Sequence, residues 1–155
     1  MTEYTVLHVE DEPADRMILA AAFKKAAPDI QLQAVFDGEQ AIAYLAGKGV
    51  YADRAAYPVP RLVLLDIKLP RRSGLEVLAW LRSECSLQHL PVIMLTSSSE
   101  PADLDRAYSL GANSYLVKTV DLASMRDIVR GIGEYVMLVG KPVPGMELPK
   151  AANRE

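Results

Sequence analysis

The chain has 155 residues, about half of them apolar and a quarter charged, which suits one domain that can bury its own core. Its net charge is -3, and no basic run exceeds Arg71-Arg72, which argues against nucleic-acid binding through a clustered positive face. The single cysteine, Cys85, cannot form an internal disulfide. No segment has the character of a signal peptide or a membrane span, so we expect a cytoplasmic protein without nucleic-acid or membrane partners.

Five short apolar runs alternate with five segments of helical pattern. The predicted strands are residues 5–9, 31–35, 61–65, 92–95 and 114–117. The predicted helices are residues 14–27, 39–46, 75–84, 102–110 and 122–139. This alternation predicts an α/β fold with a mostly parallel sheet, because each strand is joined to the next by a helical crossover.

Proline and glycine mark the ends of these segments. Pro13 and Pro101 stand where helices begin, and Gly111 stands where one ends. Residues 47–60 are predicted to form a long surface loop. We expect residues 1–139 to be one domain and the proline-rich residues 140–155 to be a tail.

Polar residues follow the apolar runs directly. Ligands of open parallel sheets bind beyond the carboxyl ends of the strands. Glu10 and Asp11 follow the first run, Asp66 the third, Thr96 the fourth and Lys118 the fifth. We therefore expect these five side chains at one edge of the sheet.

Carboxylates gathered at one edge would repel each other unless a cation joins them. Mg2+ suits such a site because it prefers oxygen ligands and keeps several waters. The direct side-chain ligands would be Asp11 and Asp66, with Glu10 acting through water. A backbone carbonyl near Lys68 would complete the metal site.

The same edge has the groups needed to receive a phosphoryl group. A metal, the ammonium of Lys118 and the hydroxyl of Thr96 would balance the charge of the phosphoryl oxygens. Asp66 would then be the nucleophile and form an aspartyl phosphate.

Four motifs in order resemble the receiver domain of two-component response regulators. The separations also agree, since Asp66 lies 30 residues before Thr96 and 52 before Lys118. The resemblance covers about residues 4–139. The motifs are VEDE at 9–12, LLDIKLP at 64–70 with Gly74, LTSSS at 95–99, and SYLVK at 114–118.

The resemblance implies a doubly wound, flavodoxin-like fold with strand order 2-1-3-4-5. It also implies a signalling protein, not an enzyme with separate substrates, that takes a phosphoryl group from a histidine kinase with Mg2+ and hydrolyses it slowly. The implied roles are Asp66 as phosphoacceptor, Glu10 and Asp11 as acidic pair, Thr96 and Tyr115 as switch residues, and Lys118 as phosphate-binding lysine.

The sequence departs from receivers at one position. They usually have a proline after the lysine, often in a cis bond, whereas Thr119 follows Lys118 here. We expect a trans bond, because a cis bond before a residue other than proline costs about 2.5 to 4 kcal/mol.

Two other functions are compatible with parts of this pattern. A phosphatase of the haloacid dehalogenase type also uses an aspartate nucleophile, but it needs a second aspartate two positions later, where Lys68 stands. A receiver-shaped adaptor that never takes phosphate is the other, and the intact acidic residues count against it. Lys68, Arg71 and Arg72 fit a kinase-docking loop and a solvated basic loop equally well.

The segments outside the motifs suggest partners. Only a short tail follows the last predicted helix, so we expect output through protein contacts instead of an effector domain. The chain resembles small regulators paired with bacterial and cyanobacterial phytochrome kinases. Apolar residues in the fifth helix and in the tail suggest a symmetric homodimer, with a disordered tail as the alternative.

Overall fold

The computed structural model describes residues 4–118 and 121–139. Its strands are β1 (Tyr4–Val9), β2 (Ile30–Val35), β3 (Leu62–Leu65), β4 (Val92–Thr96) and β5 (Ser114–Val117). Its α-helices are α1 (Pro13–Ala26), α2 (Gly38–Ala46), α3 (Gly74–Ser83), α4 (Pro101–Ser109) and α5 (Leu122–Val139). The strands form one parallel sheet in the order β2-β1-β3-β4-β5, which confirms the predicted fold class.

The sheet is covered on both faces, so the core has two layers. On one face the side chains of Leu19 and Phe23 from α1 pack with Val129 from α5. The other face packs against α2 and α3, through residues such as Leu45 and Leu78. All four residues of β3 are fully buried, as expected for a central parallel strand. This buried strand therefore holds the residue that follows it, Asp66, in a fixed position.

Local sequence signals fix the helix that follows Asp66. Ser73 accepts a hydrogen bond from the backbone N–H of Glu76, and the Glu76 side chain accepts one from the N–H of Ser73, which forms a capping box at the start of α3. Gly74 begins the helix in close contact with the preceding strand. A Cβ atom at Gly74 would lie 1.8 Å from the carbonyl oxygen of Asp66, so this approach requires glycine.

The segment before β3 has more structure than the predicted surface loop. It contains a short 3-10 helix, Gly49–Ala52. Tyr44, Tyr51 and Tyr57 form a tyrosine cluster in which neighbouring ring centroids lie 5.0 to 6.0 Å apart. Aromatic side chains spaced irregularly through a loop carry no periodic signal, so the sequence pattern did not indicate this packing.

The apolar residues of α5, from which a homodimer is predicted, are not all available to a partner. Ile132 and Val136 are buried in the core between the sheet and α1. Met137 and Leu138 are exposed, at 42% and 74% of their surface. The tail, residues 140–155, lies outside the described residues. Within the described part of the chain, no helix is both long enough and apolar enough to cross a membrane.

Candidate functional site

The carboxyl edge of the sheet brings the predicted polar residues together. Glu10 and Asp11 follow β1, Asp66 follows β3, Thr96 ends β4 and Lys118 follows β5. They converge because strands β1, β3, β4 and β5 are adjacent and parallel, so their ends share one edge. Residues that are far apart in the sequence thus form a single cluster in space.

Three carboxylates form what we call the acidic pocket: Glu10, Asp11 and Asp66. Each offers an oxygen within 4.8 Å of the others. Glu10 is fully buried and Asp66 is 5% exposed, whereas Asp11 is half-buried. Burial and the nearby charge of Asp66 raise the pKa of Glu10, and the ammonium of Lys118 only partly opposes them. Three carboxylates thus converge at an edge where burial disfavours the charged form of Glu10.

Lys118 is the cation of this site. Its Nζ lies 2.6 Å from Glu10 Oε1, 2.8 Å from Asp66 Oδ2 and 2.8 Å from Asp15 Oδ2. Burial alone would lower the pKa of Lys118, but its close contacts with the carboxylates of Asp15, Asp66 and Glu10 outweigh burial and raise that pKa above the usual range of lysine. Lys118 is therefore a fixed positive charge at any ordinary pH.

The contact with Glu10 is an ion pair more than a hydrogen bond. Within the described part of the chain, Oε1 of Glu10 accepts no hydrogen bond of acceptable geometry, although Nζ of Lys118 is only 2.6 Å away. Oε2 accepts a bond from the N–H of Glu12. A buried carboxylate oxygen with a charge partner but no directed donor is open to a better ligand.

Both carboxylate oxygens of Asp66 accept hydrogen bonds that orient its side chain. Oδ1 accepts a hydrogen bond of 2.7 Å from the backbone N–H of Ile67, and Oδ2 accepts one of 2.8 Å from Lys118. The backbone N–H of Asp66 is bonded to the carbonyl of Val9 in β1. These bonds hold the carboxylate at the edge of the sheet, facing the acidic pocket.

Thr96 and Tyr115 are linked through the loop after β4. Thr96 is buried, and its Oγ1 accepts a hydrogen bond of 3.4 Å from the N–H of Ser98. The hydroxyl of Tyr115 donates to the carbonyl of Ser98 at 2.9 Å, and burial raises the pKa of this tyrosine. One residue of the loop, Ser98, thus contacts both predicted switch residues.

The basic residues after Asp66 lie in the loop between β3 and α3. Lys68 is exposed. Arg71 forms an ion pair of 3.4 Å with Asp37, and Arg72 forms one of 3.2 Å with Glu39. Arg71 has a φ of 70°, a conformation that residues other than glycine seldom adopt. The two arginines therefore tie this loop to the start of α2.

The structure adds two residues that the sequence did not suggest as part of this site. Asp15, in the first turn of α1, accepts a hydrogen bond from the ammonium of Lys118, although the two residues are 103 positions apart. His8 is buried, and burial together with the charge of Lys118 lowers its pKa to about 3, so it is neutral. Neither residue has a local sequence signal for its place in this site, because that place depends on how distant elements pack.

The acidic pocket fits a hard divalent cation. Its donors are carboxylate oxygens, the ligands that Mg2+ prefers. One of them, the buried Oε1 of Glu10, has no hydrogen bond from the described residues. The Lys118–Thr119 bond lies partly outside the described residues.

The chain is similar to known response regulators. The sequence profile described as the response regulator receiver domain matches residues 6–130. Response regulator Rcp1 of Synechocystis sp. is 35% identical over 130 residues, which cover 84% of this chain and 86% of that protein. The structure of the Mn(2+)-bound form of Rcp1 matches with a TM-score of 0.75 and 33% identity, and covers 94% of this chain and 99% of that one.

Two further solved structures are similar. The phosphorylated cyanobacterial phytochrome response regulator RcpA matches with a TM-score of 0.81 and 33% identity, covering 90% of this chain and 98% of that one. RPA3017, a response regulator in red light signalling of R. palustris, matches with a TM-score of 0.79 and 38% identity, covering 85% and 92%. Sequence profile, relatives and fold agree with the geometry of the edge, and the chain belongs to the response regulator receiver domain family.

Proposed function

We propose that Asp66 accepts a phosphoryl group from a phosphohistidine of a sensor histidine kinase. The observation that supports this most directly is the arrangement around its carboxylate. Oδ2 of Asp66 lies 2.8 Å from Nζ of Lys118, at the edge of the sheet where Glu10 and Asp11 also converge. A nucleophile, a fixed cation and a pair of further carboxylates are the groups that phosphoryl transfer to an aspartate requires.

In the transfer step, a carboxylate oxygen of Asp66 forms the new bond to phosphorus. The bond from phosphorus to the imidazole nitrogen breaks, and its electron pair stays on that nitrogen. Lys118 and the hydroxyl of Thr96 would bind the phosphoryl oxygens, where negative charge accumulates. Later attack by water on the phosphorus would break its bond to the Asp66 oxygen and release inorganic phosphate, which leaves Asp66 as a free carboxylate. The protein would thus be a phosphoacceptor with self-dephosphorylation only.

Glu10, Asp11, Asp66 and the backbone carbonyl of Lys68 would hold Mg2+. When bound, this ion supplies positive charge that offsets the repulsion between the acidic pocket and the incoming phosphoryl group. The acidic pocket supports this proposal because its three carboxylate oxygens lie within 4.8 Å of each other. The Mn(2+)-bound form of the similar regulator Rcp1 is in keeping with it.

The signal would leave the site through Thr96 and Tyr115. Movement of Thr96 toward the phosphoryl group would displace Ser98, because the backbone N–H of Ser98 donates a hydrogen bond to the Thr96 hydroxyl. Ser98 is also the acceptor of the Tyr115 hydroxyl, so Tyr115 would lose or change its hydrogen bond. The surface formed by α4, β5 and α5 would then change shape for a protein partner.

The similar regulators favour a bacteriophytochrome as the kinase, because RcpA is a phytochrome response regulator and RPA3017 acts in red light signalling. We place this exchange in the cytoplasm. A homodimer through α5 and residues 140–155 is part of the proposal. Exposed Met137 and Leu138 near the end of α5 support it.

The rival functions have less support. A phosphatase of the haloacid dehalogenase type would need a carboxyl group two positions after the nucleophile, and that position is the exposed Lys68. The family of the chain also does not favour it. A receiver-shaped adaptor would have no need of three carboxylates gathered beside one half-buried lysine.

The test is phosphorylation of the full chain by acetyl phosphate with MgCl2, followed by intact-mass measurement. We expect one added phosphoryl group in the natural protein and none in Asp66→Asn. Asp29→Asn makes the same change of charge at the far end of α1 and is expected to behave like the natural protein. Failure of the natural protein to gain a phosphoryl group from acetyl phosphate or from a cognate kinase would favour the adaptor.

A further inference from the structure

The ammonium of Lys118 has three carboxylate partners with different possible roles. Two of them, Glu10 and Asp66, belong to the acidic pocket that could hold a metal. The third, Asp15, does not belong to it and comes from the first turn of α1. An ammonium has three N–H groups, and Asp15 accepts a hydrogen bond of 2.8 Å from one of them outside the acidic pocket.

Lys118 and a divalent cation compete for the same carboxylates. Nζ lies 2.6 Å from Glu10 Oε1 and 2.8 Å from Asp66 Oδ2. Mg2+ would lie about 2.0 to 2.1 Å from an oxygen of Asp66 and would contact Glu10 through a bound water. The two cations also repel each other at such short range. Metal binding therefore requires the ammonium to loosen its contacts with Glu10 and Asp66.

Asp15 is suited to keep the ammonium during this exchange. Its Oδ2 already lies 2.8 Å from Nζ, so no new contact has to form. Its side chain is 38% exposed, whereas that of Glu10 is fully buried, so the charge of Asp15 is solvated in both states. The start of α1 also favours a negative charge there.

The surroundings allow the ammonium to shift. A small cavity of about 20 Å³ adjoins it, lined by His8, Asp15, Leu95, Lys118 and Met125 among others. This is about the space of one water molecule.

We propose that Asp15 is a positioning residue for metal binding, which holds the Lys118 ammonium on the α1 side as Mg2+ takes over Glu10 and Asp66. This inference rests on the proposed metal site. Without Asp15, the ammonium has only the two carboxylates that the metal needs, and it competes more strongly for them. Loss of Asp15 should therefore weaken Mg2+ binding, although Asp15 is not a metal ligand.

The experiment is calorimetric titration of the full chain with MgCl2 alone, with no phosphodonor present. We expect Asp15→Asn to raise the dissociation constant for Mg2+ by about three- to tenfold, at or below the usual effect of residues that orient metal ligands. Asp29→Asn, the matched change of charge, should alter it by less than about twofold because the charge is distant and screened. Melting temperatures with and without MgCl2 provide a second readout and verify folding.

A double-mutant cycle separates positioning from simple charge. Lys118→Met removes the competing ammonium and should tighten Mg2+ binding. In that background, Asp15→Asn should change the dissociation constant by less than about twofold, because there is no ammonium left to hold. Unchanged or tighter binding in Asp15→Asn, or an equal loss with and without Lys118, would overturn the inference. If the natural protein binds no Mg2+, the metal part of the proposed function fails together with it.

Discussion

The carboxyl edge of the sheet and the tyrosine cluster both bury polar groups, but they satisfy them differently. In the tyrosine cluster, the Tyr44 hydroxyl donates to the carbonyl of Pro58, and Arg54 donates to the carbonyls of Tyr44, Leu45 and Tyr57. At the carboxyl edge, one ammonium faces three carboxylates, and a buried oxygen of Glu10 has no hydrogen bond from the described residues.

The difference indicates which cluster is structural and which is functional. Neutral groups and one arginine matched to backbone carbonyls need nothing from outside, so the tyrosine cluster only fixes the path of the chain before β3. In the acidic pocket three carboxylates converge, and an external cation would reduce their mutual repulsion. The proposed exchange of charge at Asp66 needs a site that is incomplete in this way.

Removal of Lys118 should have the largest effect on stability. We expect Lys118→Met to lower the free energy of unfolding by about 3 kcal/mol without metal, because buried carboxylates lose their cation. MgCl2 should recover much of this loss, since metal binding stabilises the folded state. Urea unfolding with and without MgCl2 measures both effects. Equal stability of the two proteins without metal would show that the ammonium does not neutralise the acidic pocket.

The corresponding change in the tyrosine cluster is Arg54→Ala. It should lower the free energy of unfolding by about 2 kcal/mol, because buried carbonyls of Tyr44 and Leu45 lose their donor. MgCl2 should not restore this loss, in contrast to the loss at Lys118. Arg54→Lys keeps the charge but not the two-armed donor geometry, and it should recover only part of the stability. Rescue of Arg54→Ala by MgCl2 would contradict the separation of the two clusters.

A smaller effect should appear at high pH. Burial raises the pKa of Tyr44 to about 12, above its usual value of 10.0. The neutral phenol therefore stabilises the fold fully below pH 10, and this contribution is lost as the pH rises toward 12, at about 1.4 kcal/mol per pH unit.

Tyr44→Phe isolates this contribution. Near pH 8 the variant should be less stable by about 1 kcal/mol, because the hydrogen bond to Pro58 is lost. Between pH 10 and 12 the gap should close and then reverse, since phenylalanine cannot ionise. Chemical unfolding of both proteins across this range tests it, and a constant gap would show that the phenol of Tyr44 titrates as if it were exposed.

Much of the fold and of the site could be predicted because the signals are local. Apolar runs followed by Asp66 or Lys118 indicate strand ends, and Pro13 and Pro101 indicate helix starts that the structure has at those residues. Which apolar residues of α5 are buried could not be predicted from the sequence. Ile132 and Leu138 look alike in the sequence, but one is buried and the other exposed.

By itself, the sequence determined the alternation of strands and helices and the chemical types that follow each strand. Parallel strands place their carboxyl ends at one edge, so Glu10, Asp11, Asp66 and Lys118 could be grouped without knowing a single distance. Only the tertiary structure decided that Asp15 reaches Lys118, 103 residues away. The reason is physical: the type of element follows from periodicity along the chain, whereas a long-range side-chain contact follows from how helices pack on the sheet.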